Sequence, residues 1–207
     1  MSAGFAGLPR IDLRPQGVGG SPCVESRATW RLRCSRSAGL DGPADDAART
    51  ILADVRARGD AAIFDYVERF EGRTITAASL EVSTQRRLSA ASKVSEEVRE
   101  AIQLAARRVH LFHRTQKFPT TGVEKEGWSL HSRAAPLSRV AVYAPGGTAA
   151  YPSSVLMAGI PAKVAGVREV FLLTPRASDV VLYAASVAGI DRVFEVGGAQ
   201  AIAAAAF

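Results

Sequence analysis

The feature of this sequence that most constrains its fold is an alternation of short apolar runs and helical segments after Arg139. The runs at 140–143, 170–173 and 193–196 predict three strands, and helices are predicted at 153–165, at 180–188 and from about residue 199. Short apolar strands that alternate with helices are typical of a parallel sheet covered on both faces. The sequence therefore predicts an α/β fold, with a parallel-sheet domain over residues 140–207.

The region before this domain predicts helices instead. Over residues 51–67 the apolar positions repeat at helical spacing, with a break at Gly59-Asp60 and an end at Gly72. A short extended piece is predicted around residues 80–82. A third helix is predicted to begin after Ser95 as N-cap and to end at Pro119. Its expected apolar stripe consists of Val98, Ile102, Ala105, Val109 and Phe112.

These patterns divide the chain into three parts. Residues 41–139 form a helical N-terminal part of a first domain, and residues 140–207 form the parallel-sheet domain. Residues 1–40 mix glycine, serine and arginine without a period of 2 or 3.6, apart from a possible short extended arm at residues 11–13, and form a poorly patterned N-terminal arm.

Composition and charge exclude several function classes. The net charge is +6, but the arginines are scattered and no nucleic-acid motif accompanies them, so no nucleic-acid partner is expected. Glycine, proline or charge interrupts every apolar stretch short of the roughly 18–20 residues of a membrane span. The two cysteines, Cys23 and Cys34, suggest neither a disulfide framework nor a zinc knuckle. We therefore expect a cytoplasmic protein without a membrane partner.

Two glycine turns lie between a predicted strand and the next helix, at residues 145–147 and 197–198. Right-handed crossovers would bring both turns to the carboxyl edge of the sheet, where open α/β sheets bind ligands. Neither turn matches the G-x-G-x-x-G or Walker pattern. Thr174-Pro175 also stands where an acidic residue for a ribose is usual. The residues alone leave open a phosphate or dinucleotide site and a plain structural turn.

A longer resemblance goes beyond these turns. It is carried by VAVYAPGGTAAYPSSVLMAGIPAKVAGVREV (140–170), RVFEVGGAQAIAAAAF (192–207) and VRARGDAAIFDYVERFEG (55–72). These segments resemble the histidinol dehydrogenase family over residues 45–207, whereas residues 14–40 do not. The resemblance implies an aldehyde-dehydrogenase-like fold with incomplete Rossmann-like domains. It also implies oxidation of L-histidinol to L-histidine through histidinaldehyde, with NAD, zinc and a homodimer.

The resemblance also implies site residues. The family's tyrosine and glutamine contacts to NAD fall on Tyr143 and Gln200. From the residues alone, Tyr143 could instead be a core aromatic and Gln200 a helix cap. The family's third NAD contact, its zinc ligands and its Glu-His acid/base pair would all lie beyond Phe207. We therefore assign no catalytic and no metal residue here, and expect a truncated chain that is inactive alone.

Other interpretations stay open at this stage. His110 and His113 are spaced to share a helix face and chelate a metal, but no further ligand follows at a suitable spacing. A same-family dehydrogenase of another alcohol, such as a sulfopropanediol, would give the same pattern, because the residues that select the substrate are mostly absent. A non-catalytic nucleotide-binding module is the alternative from a different class.

Overall fold

The structure is a computed structural model that describes residues 42–146 and 150–207. Contacts divide the chain into two units, residues 1–47 and 48–207. In the first unit the backbone N–H groups of Asp45 and Asp46 donate to the carbonyl of Gly42, at 2.9 and 3.2 Å, where a helix begins. Cys23, Cys34 and the arm predicted over residues 1–40 lie outside the described residues.

The first two helices and the break between them follow the prediction, whereas the short helices that come next were not predicted. Helix α1 (Pro43–Arg58) and helix α2 (Asp60–Glu71) are separated at Gly59. The N–H of Gly72 donates to the carbonyl of Glu68 and ends α2. Two short helices, α3 (Ala77–Leu80) and α4 (Thr84–Ser89), and a 3-10 turn (Ala90–Lys93) lead to the long helix α5 (Glu96–Arg114).

Helix α5 corrects the sequence prediction in two places. It ends at Arg114 rather than at Pro119, and its buried face consists of Ile102 and Ala106, with Val109 packed beside them. These positions follow the i, i+4, i+7 spacing of one helix face. The predicted stripe was wrong at Ala105, which is exposed, and at its ends, because Val98 and Phe112 are 37% and 60% exposed.

An antiparallel hairpin lies in the region that was predicted to be helical. Strand β1 (Thr121–Lys125) pairs with strand β2 (Trp128–Ser132), and the turn between them contains Gly127. Every residue of both strands is exposed. The hairpin was not predicted from the sequence, because neither strand has a buried face that would produce an alternating apolar pattern.

Within the described residues, the main sheet has three parallel strands in the order β3-β4-β5. They are β3 (Arg139–Tyr143), β4 (Glu169–Leu173) and β5 (Arg192–Phe194), followed by α6 (Pro152–Ala165), α7 (Asp179–Val187) and α8 (Gly198–Ala206). This confirms the predicted alternation, although β5 ends two residues early. The extended piece at 80–82 pairs antiparallel with β5, through Val82 N–H to the Val193 carbonyl at 2.9 Å.

The sheet is buried on both faces. Leu172 and Leu173 are neighbours on β4 and point to opposite faces of the sheet, as successive residues of a strand do. Leu172 packs in a core with residues of α5, α6 and α7, whereas Leu173 packs with residues of α1, α2 and α8. Ligands therefore have access at the edges of the sheet rather than at its faces. No helix among the described residues is long and apolar enough to cross a membrane.

Candidate functional site

Tyr143 is the last residue of β3 and lies at the carboxyl edge of the sheet. Its side chain is 37% exposed, so it is not a core aromatic. The hydroxyl accepts a hydrogen bond of 3.3 Å from the backbone N–H of Gly198, the first residue of α8. This contact joins the end of the first sheet strand to the start of the last helix. The two residues predicted for the site thus come to the same edge.

Gln200 is the third residue of α8 and is almost completely buried, at 2% exposure. Its Oε1 accepts no hydrogen bond from any described residue. Because Oε1 accepts no hydrogen bond from a backbone N–H at the start of α8, Gln200 does not act as a helix cap. A buried acceptor without a donor typically costs about 1–3 kcal/mol and is uncommon in native proteins. Gln200 therefore has a hydrogen-bonding capacity that the fold itself does not use.

The glycines of both turns close on Pro175, which follows β4. A Cβ atom at Gly197 would lie 2.8 Å from Cγ of Pro175, and one at Gly146 would overlap the Pro175 carbonyl oxygen. Both glycines are thus required by packing between the loops. The predicted convergence of the two turns at one edge is confirmed for their described residues; Gly147 lies outside the described part.

Gly198 has a different requirement. Its φ angle is +71°, a conformation that side-chain-bearing residues rarely adopt. A Cβ atom there would also lie 2.5 Å from Oε1 of Gln200. Because the Gln200 amide packs directly over Gly198, the backbone at this position holds the buried amide in place.

A cavity of about 290 Å³ lies beside these residues. Its lining comes from α1, the end of α2, the loops after β4 and β5, and the first turn of α8: Ile51, Phe70, Glu71, Pro175, Gly197, Gly198, Ala199 and Gln200. Glu71 resembles Gln200 in one respect, because its Oε1 is also buried without a donor among the described residues. Two residues with unused acceptors therefore line one cavity, which favours a ligand that carries hydroxyl or N–H donors.

Glu195 was not recognised from the sequence as part of this region. Its carboxylate accepts hydrogen bonds of 2.8 Å from the N–H of Ala177 and from the guanidinium of Arg86. Its carbonyl accepts a 3.0 Å hydrogen bond from Arg73. These contacts hold the loop after β4 against the end of β5. The only signal in the sequence was a carboxylate at the end of an otherwise apolar run.

The histidine pair on α5 does not form a metal site with its neighbours. His110 lines a cavity of about 730 Å³ between α5 and the ends of α6 and α7, whereas His113 lines another of about 460 Å³. His113 also contacts the ring of Phe112 edge to face at 5.4 Å. Among residues 42–146 and 150–207, no three His, Cys, Asp or Glu side chains are grouped so that they could hold a metal ion.

The fold defines a class of protein, the open parallel α/β proteins whose ligand sites lie at the carboxyl edge of the sheet. Comparison with known proteins narrows this class. The family model described as histidinol dehydrogenase matches residues 35–207. The chain belongs to the histidinol dehydrogenase family.

Individual relatives agree with this assignment. Histidinol dehydrogenase of Aromatoleum aromaticum is 40% identical over 213 residues, which cover 100% of this chain and 47% of that protein. The enzyme of Syntrophotalea carbinolica is 47% identical over 162 residues, 76% of this chain and 38% of that protein. A crystal structure of histidinol dehydrogenase from Elizabethkingia anophelis superposes with a TM-score of 0.71 at 34% identity, covering 77% of this chain and 38% of that one. The chain thus spans less than half the length of these relatives.

Proposed function

We propose that this chain supplies part of the NAD site of a dehydrogenase that oxidises L-histidinol to L-histidine through histidinaldehyde. The observation that carries this proposal is the buried, unpartnered Oε1 of Gln200 at the carboxyl edge of the sheet. Family membership supports the reaction, and the geometry supports a ligand with hydrogen-bond donors at that edge. NAD carries such donors in its ribose hydroxyls and its carboxamide.

In this proposal Tyr143 and Gln200 hold the cofactor, and residues 140–207 form the NAD-binding domain. The exposed ring of Tyr143 offers an apolar surface and a hydroxyl, and the Gln200 amide offers an acceptor and two donors. The first turn of α8 presents backbone N–H groups of the kind that bind phosphate oxygens. When bound, NAD supplies the hydride acceptor, and the residues of this chain orient it.

The remaining chemistry is assigned to the rest of the full-length protein. The described residues do not fit a zinc ion, because no suitable group of ligands is brought together. We therefore propose that the zinc site and the acid/base groups come from outside this chain, and that residues 41–139 belong to a first domain completed by other sequence. We also propose a homodimer in the cytoplasm, on the basis of family membership, and the exposed side chains of Leu104, Leu111 and Leu130 offer apolar surface for contact between subunits.

The test is cofactor binding by the 207-residue chain, measured by saturation-transfer NMR or calorimetry with NAD. We expect binding that Gln200→Ala and Tyr143→Ala each weaken about ten-fold, since a hydrogen bond or a stacking contact is worth roughly 1–2 kcal/mol. Arg108→Ala, on the exposed side of α5, is the control and should bind like the wild type. With L-histidinol present, the chain should form no NADH.

Two results would contradict the proposal. If both site variants bind NAD as the wild type does, the cofactor lies elsewhere. If the chain alone forms NADH from L-histidinol above a blank without protein, then the acid/base groups are in this chain and their assignment to other sequence is wrong.

A further inference from the structure

Glu71 is the last residue of α2, and only one of its two carboxylate oxygens has a partner among the described residues. Its Oε2 accepts hydrogen bonds from Nη2 and Nε of Arg73, at 2.7 and 3.0 Å. Its Oε1 is buried and receives no hydrogen bond from the described residues. The side chain is only 14% exposed, so it is held in one orientation against its arginine. An ion pair needs only one of the two oxygens, which leaves Oε1 available for another partner.

The position of Glu71 in the fold gives this oxygen a context. Glu71 lines the same cavity as Gln200 and Pro175. Its carbonyl accepts a 3.0 Å hydrogen bond from Nη2 of Arg176, which belongs to the loop after β4. The end of α2 is thus attached to the loop that follows the second sheet strand.

That loop is where the common dinucleotide fold places an acidic residue for the ribose hydroxyls. Here Thr174 and Pro175 occupy the position, and neither has a carboxylate. Thr174 is also buried, at 1% exposure. A carboxylate is nevertheless present beside the loop, because α2 brings Glu71 there from a distant part of the sequence.

We propose that Glu71 binds the ribose of a dinucleotide, with Oε1 accepting hydrogen bonds from its vicinal hydroxyls. This inference rests on the proposed NAD site at Gln200. Arg73 acts as a positioning residue, because it fixes the other oxygen of the carboxylate. Glu71 also selects between cofactors: a 2′-phosphate adds negative charge and replaces a donor with acceptors, so Oε1 would face an acceptor in NADP.

The test compares NAD and NADP binding to the 207-residue chain and its variants, with thermal unfolding recorded in parallel. The wild type should bind NAD at least about ten-fold more tightly than NADP, as a lost charge-assisted hydrogen bond predicts. Glu71→Gln should reduce this preference by about ten-fold, because its amide can donate to a phosphate. Glu71→Ala should weaken NAD binding by a similar factor. Glu68→Gln, an exposed glutamate one turn earlier on α2, should change neither affinity.

The possible results distinguish a wrong role for Glu71 from a wrong NAD site at Gln200. If the wild type binds neither dinucleotide, the NAD site itself is wrong. If Gln200→Ala weakens NAD binding while both Glu71 variants keep the wild-type affinities, the site stands and the role of Glu71 is overturned. Should Glu71→Ala unfold, the nearly isosteric Glu71→Gln still decides the question through the ratio of the NAD and NADP affinities. A purely structural ion pair would change the melting temperature and leave that ratio unchanged.

Discussion

The two edges of the parallel sheet differ in whether all of their buried polar groups have partners. At the amino edge, charged groups are paired: Arg139 with Glu169 at 2.6 Å, Arg192 with Glu81 at 2.7 Å, and Lys163 with Asp191 at 2.6 Å. At the carboxyl edge, two buried acceptors lack donors among the described residues, and closely packed glycines bring the loops together. Glu195 pairs with Arg86 at the carboxyl edge as well, so the difference between the two edges lies in the unpartnered oxygens of Glu71 and Gln200.

We therefore expect the carboxyl edge of the sheet to serve ligand binding and the amino edge to serve stability. Unsatisfied polar groups and rare backbone conformations persist where the surrounding structure enforces them, and they cluster at functional sites. Arg176, next to Pro175, is the only non-glycine residue of the described chain with a positive φ, at +49°. The exposed ion pairs at the amino edge contribute little free energy each. Substitutions at the two edges should therefore have different effects, which can be measured on the same chain.

The largest effect is expected from Gly198→Ala at the carboxyl edge. The new Cβ would require a rare backbone conformation and would press on the Gln200 amide, so we expect a loss of about 1–2 kcal/mol in stability. NAD binding should fall by more than about ten-fold, because the amide can no longer keep its position. Thermal unfolding and NAD titration measure the two effects.

Gly189→Ala provides the matched control at the amino edge. Gly189 also has a positive φ, +74°, but a Cβ there would meet only the flexible side chain of Lys163, at 3.6 Å. This variant should lose about 1 kcal/mol of stability through backbone strain alone. Equal losses of NAD affinity in both variants would show that strain, rather than the Gln200 contact, controls binding.

Gln200→Leu should separate stability from binding most clearly. It replaces a buried amide with an apolar side chain of similar size and removes an acceptor that has no donor in the described structure. The unfolding temperature should stay the same or rise, since an unsatisfied buried acceptor costs about 1–3 kcal/mol. NAD affinity should fall about ten-fold. A marked loss of stability with unchanged NAD affinity would mean that Gln200 serves the core of the protein.

Most of the main sheet could be predicted from the sequence, and most of its surroundings could not. The strands are buried on both faces, so they appear as apolar runs between glycine turns, as at 170–173. The hairpin strands bury neither face, and no periodic pattern marks them. A strand can therefore be predicted from this sequence where its side chains are buried, because burial and not strand formation itself produces the apolar pattern.

The candidate site shows the same limit. Tyr143 and Gln200 were assigned through family resemblance, and the structure brings them together through Gly198. Glu71 and Glu195 were not identified, because their partners are distant in sequence: Arg73 bonds to Glu195 across 122 residues and Arg176 bonds to Glu71 across 105. Contacts of this kind depend on packing between α2 and the strand ends, which local patterns do not encode.

The smallest effect is expected from Asp191→Asn at the amino edge, and it depends on pH. Burial raises the pKa of the Asp191 carboxyl, but the hydrogen bonds from Lys163 and from the Val170 N–H outweigh it, so the pKa lies below its usual range. A lowered pKa stabilises the fold above the ordinary aspartate pKa of about 4, and this stability is lost as the pH falls through the folded value. Because the side chain is 40% exposed, we expect a loss of only about 0.5–1 kcal/mol at pH 7.

The difference in stability between Asp191→Asn and the wild type should shrink below about pH 4, as protonation of Asp191 weakens the same contacts in the wild type. NAD affinity should not change, because Asp191 lies at the edge opposite to the proposed cofactor site. Denaturant unfolding at several pH values measures this, and a stability difference that persists undiminished well below pH 4 would show that Asp191 acts through packing rather than through its charge.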